Sequence, residues 1–308
     1  MVLYYQKINE EKIRSYLKSI KGKIDSISIC GVFSPVSGEQ EIRVAEMVRK
    51  ELGDINISMS HQIGGIGLLE RENATILNAA LFKVTHSVAE GFINALIRQN
   101  IQANVFFSQN DGTLMSLEHA LSFPVLTIAC GLTNSIRGAS YLAGLQDAIV
   151  VDIGGTTTDI GVVSHGILRE SLVATEIGGM RTNFRMPDIT SIGLGGGTII
   201  KLHSDDEFTI GPESVGNQLT ESAYVFGGKI LTITDIAVAK GLLNLGDARF
   251  VQHLSLTLVD KILNKCTEMI ENIIDRMQIK DSLMQVLLVG GGAVLIPGSL
   301  IGESRVVN

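Results

Sequence analysis

Apolar positions recur at two spacings along this chain. Asn9 to Lys21 is a short polar stretch that reads as a helix. Ile24-Asp25-Ser26-Ile27-Ser28-Ile29-Cys30 then alternates apolar and polar, the period of a half-buried strand. Gly38 to Leu52 carries Ile42, Ala45, Val48 and Leu52 at helical spacing and stops at Gly53, and Ile55 to Met59 alternates again. The longest helical pattern runs from Glu70 to Asn100. There Leu77, Leu81, Val84, Val88, Phe92 and Leu96 step by four or three residues into one apolar stripe, and Ala80 and Ala95 are small enough for close helix packing. Two strand–helix units are expected next: Ala103–Phe107 with Leu117–Leu121, and Val125–Cys130 with Ser135–Leu145.

The second half changes character. Ala148-Ile149-Val150-Val151 is a continuous apolar run, as in a strand buried on both faces. A tight turn over Asp152–Thr158, a strand at Ile160–Val163, a turn at Gly166 and a strand at Leu168–Val173 make a meander. Helices are expected over Thr234–Leu243 and Leu254–Met277, and a buried strand at Val286–Val289 runs into Gly290-Gly291-Gly292. The pattern predicts an α/β fold with mixed sheets and flanking helices. The expected boundary places a first lobe at 1–146 and a second at 147–308.

Composition narrows the function. Across 308 residues, 45% are hydrophobic and 19% charged, enough to bury a large interior. Glycine, at 33 residues against 5 prolines, points to tight turns and close backbone approaches instead of stiff linkers. A formal charge of −7 argues against nucleic acid or an anionic membrane surface as the main partner. Cys30, Cys130 and Cys266 are widely separated in apolar surroundings and offer no disulfide framework or metal knuckle. No signal-like start and no long apolar span is present in the sequence, so a soluble, cytoplasmic protein is the expectation.

Asp152-Ile153-Gly154-Gly155-Thr156-Thr157-Thr158-Asp159 carries the most chemistry. A buried strand ends in a carboxylate, and two glycines let the backbone approach a ligand without a Cβ in the way. Successive N–H groups of Gly154, Gly155 and Thr156 can converge on one anion, with threonine hydroxyls, including that of Thr157, adding donors. Carboxylates on both sides of the turn would repel a phosphate unless a divalent cation lay between, which assigns Asp152 and Asp159 to Mg²⁺. An ordinary glycine hairpin is the other reading of the same residues. Two further clusters, Gly193-Leu194-Gly195-Gly196-Gly197 and Gly290-Gly291-Gly292, are each weak alone, and the second offers a flat backbone for a planar ring. P-loop and dinucleotide fingerprints are both missing from the sequence.

Read together, these motifs are familiar. D-I-G-G-T-T-T-D at 152–159 resembles the second phosphate motif of the actin, sugar-kinase and heat-shock-chaperone ATPase fold, and V-G-G-G-A-V-L-I-P at 289–297 resembles its adenosine motif. More specifically, the chain resembles the hydantoinase A/oxoprolinase family, through S-M-S-H at 58–61, E-R-E-N-A-T-I-L-N-A-A-L at 70–81 and S-Q-N-D-G-T-L-M-S at 108–116. R-T-N-F-R-M-P-D at 181–188, S-I-G-L-G-G-G-T at 191–198 and G-P-E-S-V-G at 211–216 extend the likeness. The family's pattern begins with another D-x-G-G-T turn, which this sequence lacks, so a central portion with one lobe incomplete is the expectation. Cys130-Gly131-Leu132-Thr133 also departs from the S-G-P that the family often has there.

The resemblance implies an ATP-dependent hydrolase that opens a hydantoin- or 5-oxoproline-type cyclic amide by phosphorylating its carbonyl oxygen. It assigns the nucleotide to Gly154, Gly155, Thr156, Thr157, Gly195, Gly196 and Gly290 to Gly292. Asp152 and Asp159 serve as catalytic, metal-side carboxylates, and ATP and Mg²⁺ as cofactors. His61, Asn110, Arg181, Asn183 and Arg185 are the substrate-side candidates, each also readable as a packed or surface polar group. A B-type partner subunit or a homo-oligomer would complete the assembly. Two other readings stay open: a small-molecule kinase on the same fold, and a nucleotide-binding regulatory module without turnover.

Overall fold

The computed structural model describes residues 7–171, 175–203, 207–278, 284–296 and 306–307. By their internal contacts the residues group into two compact units: 1–130 with 171–186, and 131–170 with 187–308. This is a grouping by contact, distinct from the lobe assignment at 146/147.

In the first unit, α1 (Glu10–Ile20) starts at Asn9, whose side chain accepts the Lys12 N–H at 3.0 Å. Strands β1 (Ser26–Ile29) and β2 (Asn56–Met59) pair in parallel, Ser26 opposite Asn56 and Ile29 opposite Met59. The connection between them is α2 (Glu39–Leu52), ended by Gly53 at φ +85°, a conformation that favours glycine. Leu17, Met47 and Val48 form the small core beneath, with Ile27 and Ile57 packed against it.

Helix α3 (Leu68–Arg98) forms as expected, but only Leu77, Leu81 and Leu96 of the apolar stripe are half-buried, and its middle is exposed. Val84, Val88 and Phe92 are 59%, 59% and 50% exposed. The helix buries Arg71, Ala74, Thr75, Asn78, Ala79, Phe82 and Ala89 instead. Here polar side chains with hydrogen-bond partners displace larger apolar ones from the packed side: Thr75 donates to the Arg71 carbonyl and Asn78 to the Ser58 hydroxyl.

The expected pair of strand–helix units is also different. β3 (Phe106–Ser108) and β4 (Leu114–Ser116) form an antiparallel hairpin followed by α4 (Leu117–Ser122). No strand forms over Val125–Cys130. Pro124 opens a 3₁₀ turn at Pro124–Thr127, and the Val125 N–H is taken by the Asn78 side chain at 3.1 Å rather than by a neighbouring strand.

Helix α5 (Cys130–Ala143) leads into the second unit, which is built on one six-stranded sheet of order β10-β6-β5-β13-β14, with β7 added on β6. The meander is β5 (Ala148–Ile153), β6 (Thr158–Ser164) and β7 (Ile167–Leu168). The expected strand residues Leu172 and Val173 lie outside the described residues. A short hairpin, β8 (Thr175–Ile177) with β9 (Met180–Thr182), groups with the first unit. The sheet then resumes at β10 (Ile189–Ile192), and β11 (Thr198–Leu202) and β12 (Phe208–Ser214) form an antiparallel pair. A single helical turn, α6 (Leu219–Ser222), precedes α7 (Ile233–Lys240) and α8 (Leu256–Met277). β13 (Gln285–Val289) pairs in parallel with both β5 and β14 (Val306–Val307).

The faces of β5 divide cleanly. Ile149, Val151 and Ile153 enter the large core, which also holds Ile233 and Ile236 of α7 and Val259, Ile262, Cys266 and Ile270 of α8. Ala148 and Val150 enter a smaller core with Ile136 of α5. Gly161 of β6 makes that second layer possible, since a Cβ there would sit 2.6 Å from Ile136 Cδ1. Cys266 is a buried hydrophobe, as its surroundings in sequence predict: burial pushes its thiol up to about 12. Among the described residues, no helix is long and apolar enough to cross a membrane.

Candidate functional site

Parallel pairing of β5 with β13 brings their carboxyl ends side by side, Asp152 opposite Val289. Ligand sites in α/β sheets favour this edge, because loops leaving parallel strands open a crevice there. The Gly154–Thr157 turn leaves β5 and the Gly290–Gly292 turn leaves β13. The Gly292 N–H donates to the Ile153 carbonyl at 2.9 Å, locking the two turns together. Both Gly290 and Gly292 lack room for a side chain: a Cβ on Gly290 would lie 2.4 Å from Asp152 Oδ1, and one on Gly292 2.4 Å from Ile153 Cγ2.

The third glycine cluster joins the first by backbone bonds. Gly196 and Gly197 N–H donate to the Gly154 and Gly155 carbonyls at 3.0 and 2.6 Å. A Cβ on Gly195 would stand 2.7 Å from both Gly154 O and Thr156 N. Helix α7 anchors this cluster in turn, since the Thr234 N–H and hydroxyl both donate to the Gly196 carbonyl at 2.8 Å. The three clusters, far apart in sequence, thus line one cleft of about 280 Å³. Gly154, Gly155, Gly196, Gly291 and Gly292 form its floor, and Leu219, Leu243, Leu245, Val294 and Leu295 supply apolar walls. The hydroxyl-bearing side chain in the lining is Thr234. A lining of glycine backbone and aliphatic side chains suits a flat heterocycle.

Within the phosphate-type turn the donors divide. The Gly154 N–H closes the turn on the Thr157 carbonyl at 2.9 Å, so it is spent internally. Gly155 and Thr156 are exposed, and among the described residues their N–H groups meet no protein acceptor. Thr157 also serves the turn, its hydroxyl donating to Asp159 Oδ2 at 3.3 Å.

Asp152 and Asp159 face each other directly in the β5–β6 register. Like charges placed so are mutually destabilising by about 0.2–1 kcal/mol. Each carboxylate is steadied by one serine that the motif reading missed: Ser135 of α5 donates to Asp152 Oδ2, and Ser191 of β10 to Asp159 Oδ1. Ser135 carries no motif signal in its helix, and Ser191 opens the S-I-G-L-G-G-G-T segment, where the glycines drew the assignment. Among the described residues, no three His, Cys, Asp or Glu side chains come together to hold a metal by themselves. An opposed carboxylate pair does fit Mg²⁺, which takes one or two carboxylates and fills its octahedron with water and phosphate oxygens.

The substrate-side candidates all lie in the first unit. Asn110, 2% exposed, donates to the Arg185 carbonyl at 2.7 Å and holds the chain there. The side chains of Arg181 and Arg185 belong to exposed residues, and the Arg181 carbonyl accepts from Asn73. Asn183 donates toward the carbonyls of Gly65, Ile66 and Gly67 at 3.1–3.4 Å, while its buried Oδ1 has no hydrogen-bond partner among the described residues. His61 meets Glu41, a residue that motif reading did not single out.

Burial pushes the Glu41 carboxyl up, but hydrogen bonds from Ser60, His61 and Gly31 outweigh it and hold the group below its ordinary value of 4.5. A carboxyl lowered on folding adds stability that is complete above its unfolded value and disappears as pH falls through the lowered one. The urea midpoint of the parent chain should therefore fall more steeply with acid below about pH 4.5 than that of Glu41→Gln. Superimposable profiles for the two proteins would contradict this.

The family profile described as Hydantoinase/oxoprolinase matches residues 71–288. The chain belongs to the hydantoinase/oxoprolinase family. A second profile, the N-terminal region of that family, matches residues 2–52. Curated relatives of the chain include the acetophenone carboxylase gamma subunit of Aromatoleum aromaticum, 26% identical over 77% of this chain and 34% of that protein. Caprolactamase subunit alpha of Pseudomonas jessenii is 27% identical over 72% of this chain and 32% of its own length. The chain therefore spans about a third of these relatives. Among solved structures, ATP-dependent caprolactamase from Pseudomonas jessenii superposes with a TM-score of 0.75 at 19% identity, over 98% of this chain and 48% of that one. Nucleotide-free acetone carboxylase gives 0.70 at 19% identity, over 96% and 46%. The mixed α/β fold expected from the sequence is thus shared with two members of this group.

Proposed function

We propose that this chain is the nucleotide-binding portion of an ATP-dependent enzyme that activates an amide carbonyl by phosphorylating its oxygen, with the actin-like two-lobed arrangement expected of the family. The supporting observation is the meeting of three glycine turns in one apolar-walled cleft at the carboxyl ends of β5 and β13. The base lies against Gly291, Gly292 and the aliphatic wall. The phosphates meet the N–H groups of Gly155 and Thr156, with Gly195 and Gly196 behind the turn. Asp152 and Asp159 are the carboxylates that would hold Mg²⁺, which when bound offsets the charge of the phosphate oxygens. Ser135 and Ser191 keep those carboxylates in place.

Amide oxygen is a poor electrophile's handle until it becomes part of a phosphate ester. Its attack on the γ-phosphorus releases ADP, water then adds at carbon, the C–N bond breaks as the nitrogen takes a proton and leaves an acyl phosphate, and a second water frees phosphate and the carboxylate. The names of the relatives support carbonyl activation, an amide in one case and a ketone in the others. A partner subunit is part of this proposal, since two of the curated relatives are named as subunits.

Phosphate release by the intact enzyme, supplied in turn with hydantoin, 5-oxoproline, caprolactam, a sugar and a ketone with bicarbonate, tests it. Release coupled to ring opening of a cyclic amide is expected. Sugar phosphate as the product would replace the reading with a kinase, and ketone-dependent release with a carboxylase.

A further inference from the structure

The first unit holds a group that nucleotide binding does not use. His61 follows β2 in the 3₁₀ turn Ser60–Gln62, and its Nδ1 lies 2.6 Å from Glu41 Oε2. Glu41, 1% exposed, already has three donors without the ring: Gly31 N–H at 2.6 Å, the Ser60 hydroxyl at 2.5 Å and the His61 N–H at 3.0 Å. Those bonds already tie α2 to the turn after β2, and the imidazole adds a fourth.

The dependence runs the other way. An ionised carboxylate only accepts, so Nδ1 carries the hydrogen toward Glu41, and in the neutral ring Nε2 is the nitrogen left to accept. The ring is 20% exposed. Gly38 makes room for it: at φ −79° any residue would be conformationally at ease, yet a Cβ would stand 2.8 Å from two ring carbons. Arg71, the cation of this network, is 1% exposed and occupied elsewhere, with Nε on Ser60 Oγ at 3.0 Å and other nitrogens on the Gly31 and Gly65 carbonyls. The groups facing the imidazole and its carboxylate are thus Glu41 from α2, Arg71 from α3 acting through Ser60, and the hydroxyl of Ser34, 2.8 Å from Ser60 Oγ.

We propose that His61 is the proton-accepting centre of a second ligand site, within the first unit, and that Glu41 is its positioning residue. The ligand is a small molecule with a weakly acidic N–H or O–H. Its proton passes to Nε2, Nδ1 keeps its own, the resulting imidazolium is balanced by the Glu41 carboxylate, and the ligand is left as its conjugate base. That the ligand is a cyclic amide rests on the function proposed above; the site does not.

Long-range ¹⁵N–¹H NMR of the whole chain without nucleotide tests the site directly. At mildly alkaline pH, His61 should show a protonated Nδ1 and a bare Nε2. Hydantoin or succinimide, ring compounds with a weakly acidic N–H, should move the Nε2 resonance while leaving the other histidines in place. A bare Nδ1, or an Nε2 unmoved by every probe, overturns the proposal. In the intact enzyme, His61→Asn should lower kcat by about 100-fold or more with nucleotide affinity unchanged. Glu41→Gln should displace the acid limb of the pH–rate profile; an unchanged kcat in His61→Asn or an unmoved limb in Glu41→Gln counts against the role. Failure of the chain to bind nucleotide would sink the ATP reading and leave the NMR result standing.

Discussion

Asp152→Asn loses most of the stabilisation that Mg²⁺–ATP gives the parent chain, while its ligand-free fold is as stable as the parent's or slightly more so. The two effects have opposite signs because Asp152 has two roles. In the ligand-free protein it stands directly across from Asp159, and neutralising one of two opposed carboxylates relieves about 0.2–1 kcal/mol of repulsion. Asparagine keeps an oxygen to accept the Ser135 hydroxyl, so the link from α5 survives. With ligand, the missing charge removes a partner for the cation. At a ligand concentration about 100 times the parent Kd, the parent gains about 2.7 kcal/mol, whereas a variant binding 100-fold more weakly gains about 0.4 kcal/mol. Thermal unfolding with and without Mg²⁺–ATP reads both. A variant that keeps the full ligand shift would show that Asp152 is not on the metal side.

The second large effect is expected at Gly195. Its backbone is not in the left-handed region, so alanine brings no conformational strain of its own. The consequence is one of contact: the new Cβ would be 2.7 Å from Gly154 O and Thr156 N and 2.8 Å from Gly155 C. All three are main-chain atoms of the phosphate-type turn, and the turn must shift to admit it. Gly195→Ala should therefore destabilise the fold by about 1–3 kcal/mol, as overpacking does. Fluorescent-nucleotide affinity should drop at least tenfold as the Gly155 and Thr156 amides move. Gly291→Ala is the control, because a Cβ there meets nothing within 4 Å and the ligand-free stability should not change. If Gly195→Ala binds nucleotide like the parent, the turn does not hold the phosphates.

The central sheet was legible because burial on both faces leaves a continuous apolar run, as in β5 and β13. Helix α8 was legible because Val259, Ile262, Cys266, Ile270 and Ile273 follow a helical period into one core. Helix α3 had equally regular spacing, yet periodicity reports only that a face is apolar, not what covers it; Val84, Val88 and Phe92 stay exposed. Val125–Cys130 failed for a different reason. A short apolar run is compatible with a strand or a turn, and Pro124 with the Asn78 side chain settled it as a turn. In the cleft, the glycine clusters were visible as motifs, but their meeting depends on long-range register. The walls from Leu219, Leu243 and Leu245 come from short irregular segments where leucine is unremarkable in sequence. The donor division within the turn was also hidden, since nothing in D-I-G-G-T-T-T-D says that Gly154 N–H closes onto Thr157 O. Pro297, at the end of the adenosine-type motif, lies outside the described residues.

The parallel pairing of β5 with β13 has a further bearing on how the protein comes into being. Residues 148–153 leave the ribosome long before residues 285–289, and parallel neighbours so distant along the chain are slow to find one another. The antiparallel meander of β5, β6 and β7 can assemble early, but the Gly290–Gly292 side of the cleft is unmade until β13 docks. On the reading proposed above, a nascent chain has nowhere to seat a nucleotide, which could trap the finished cleft but not template it.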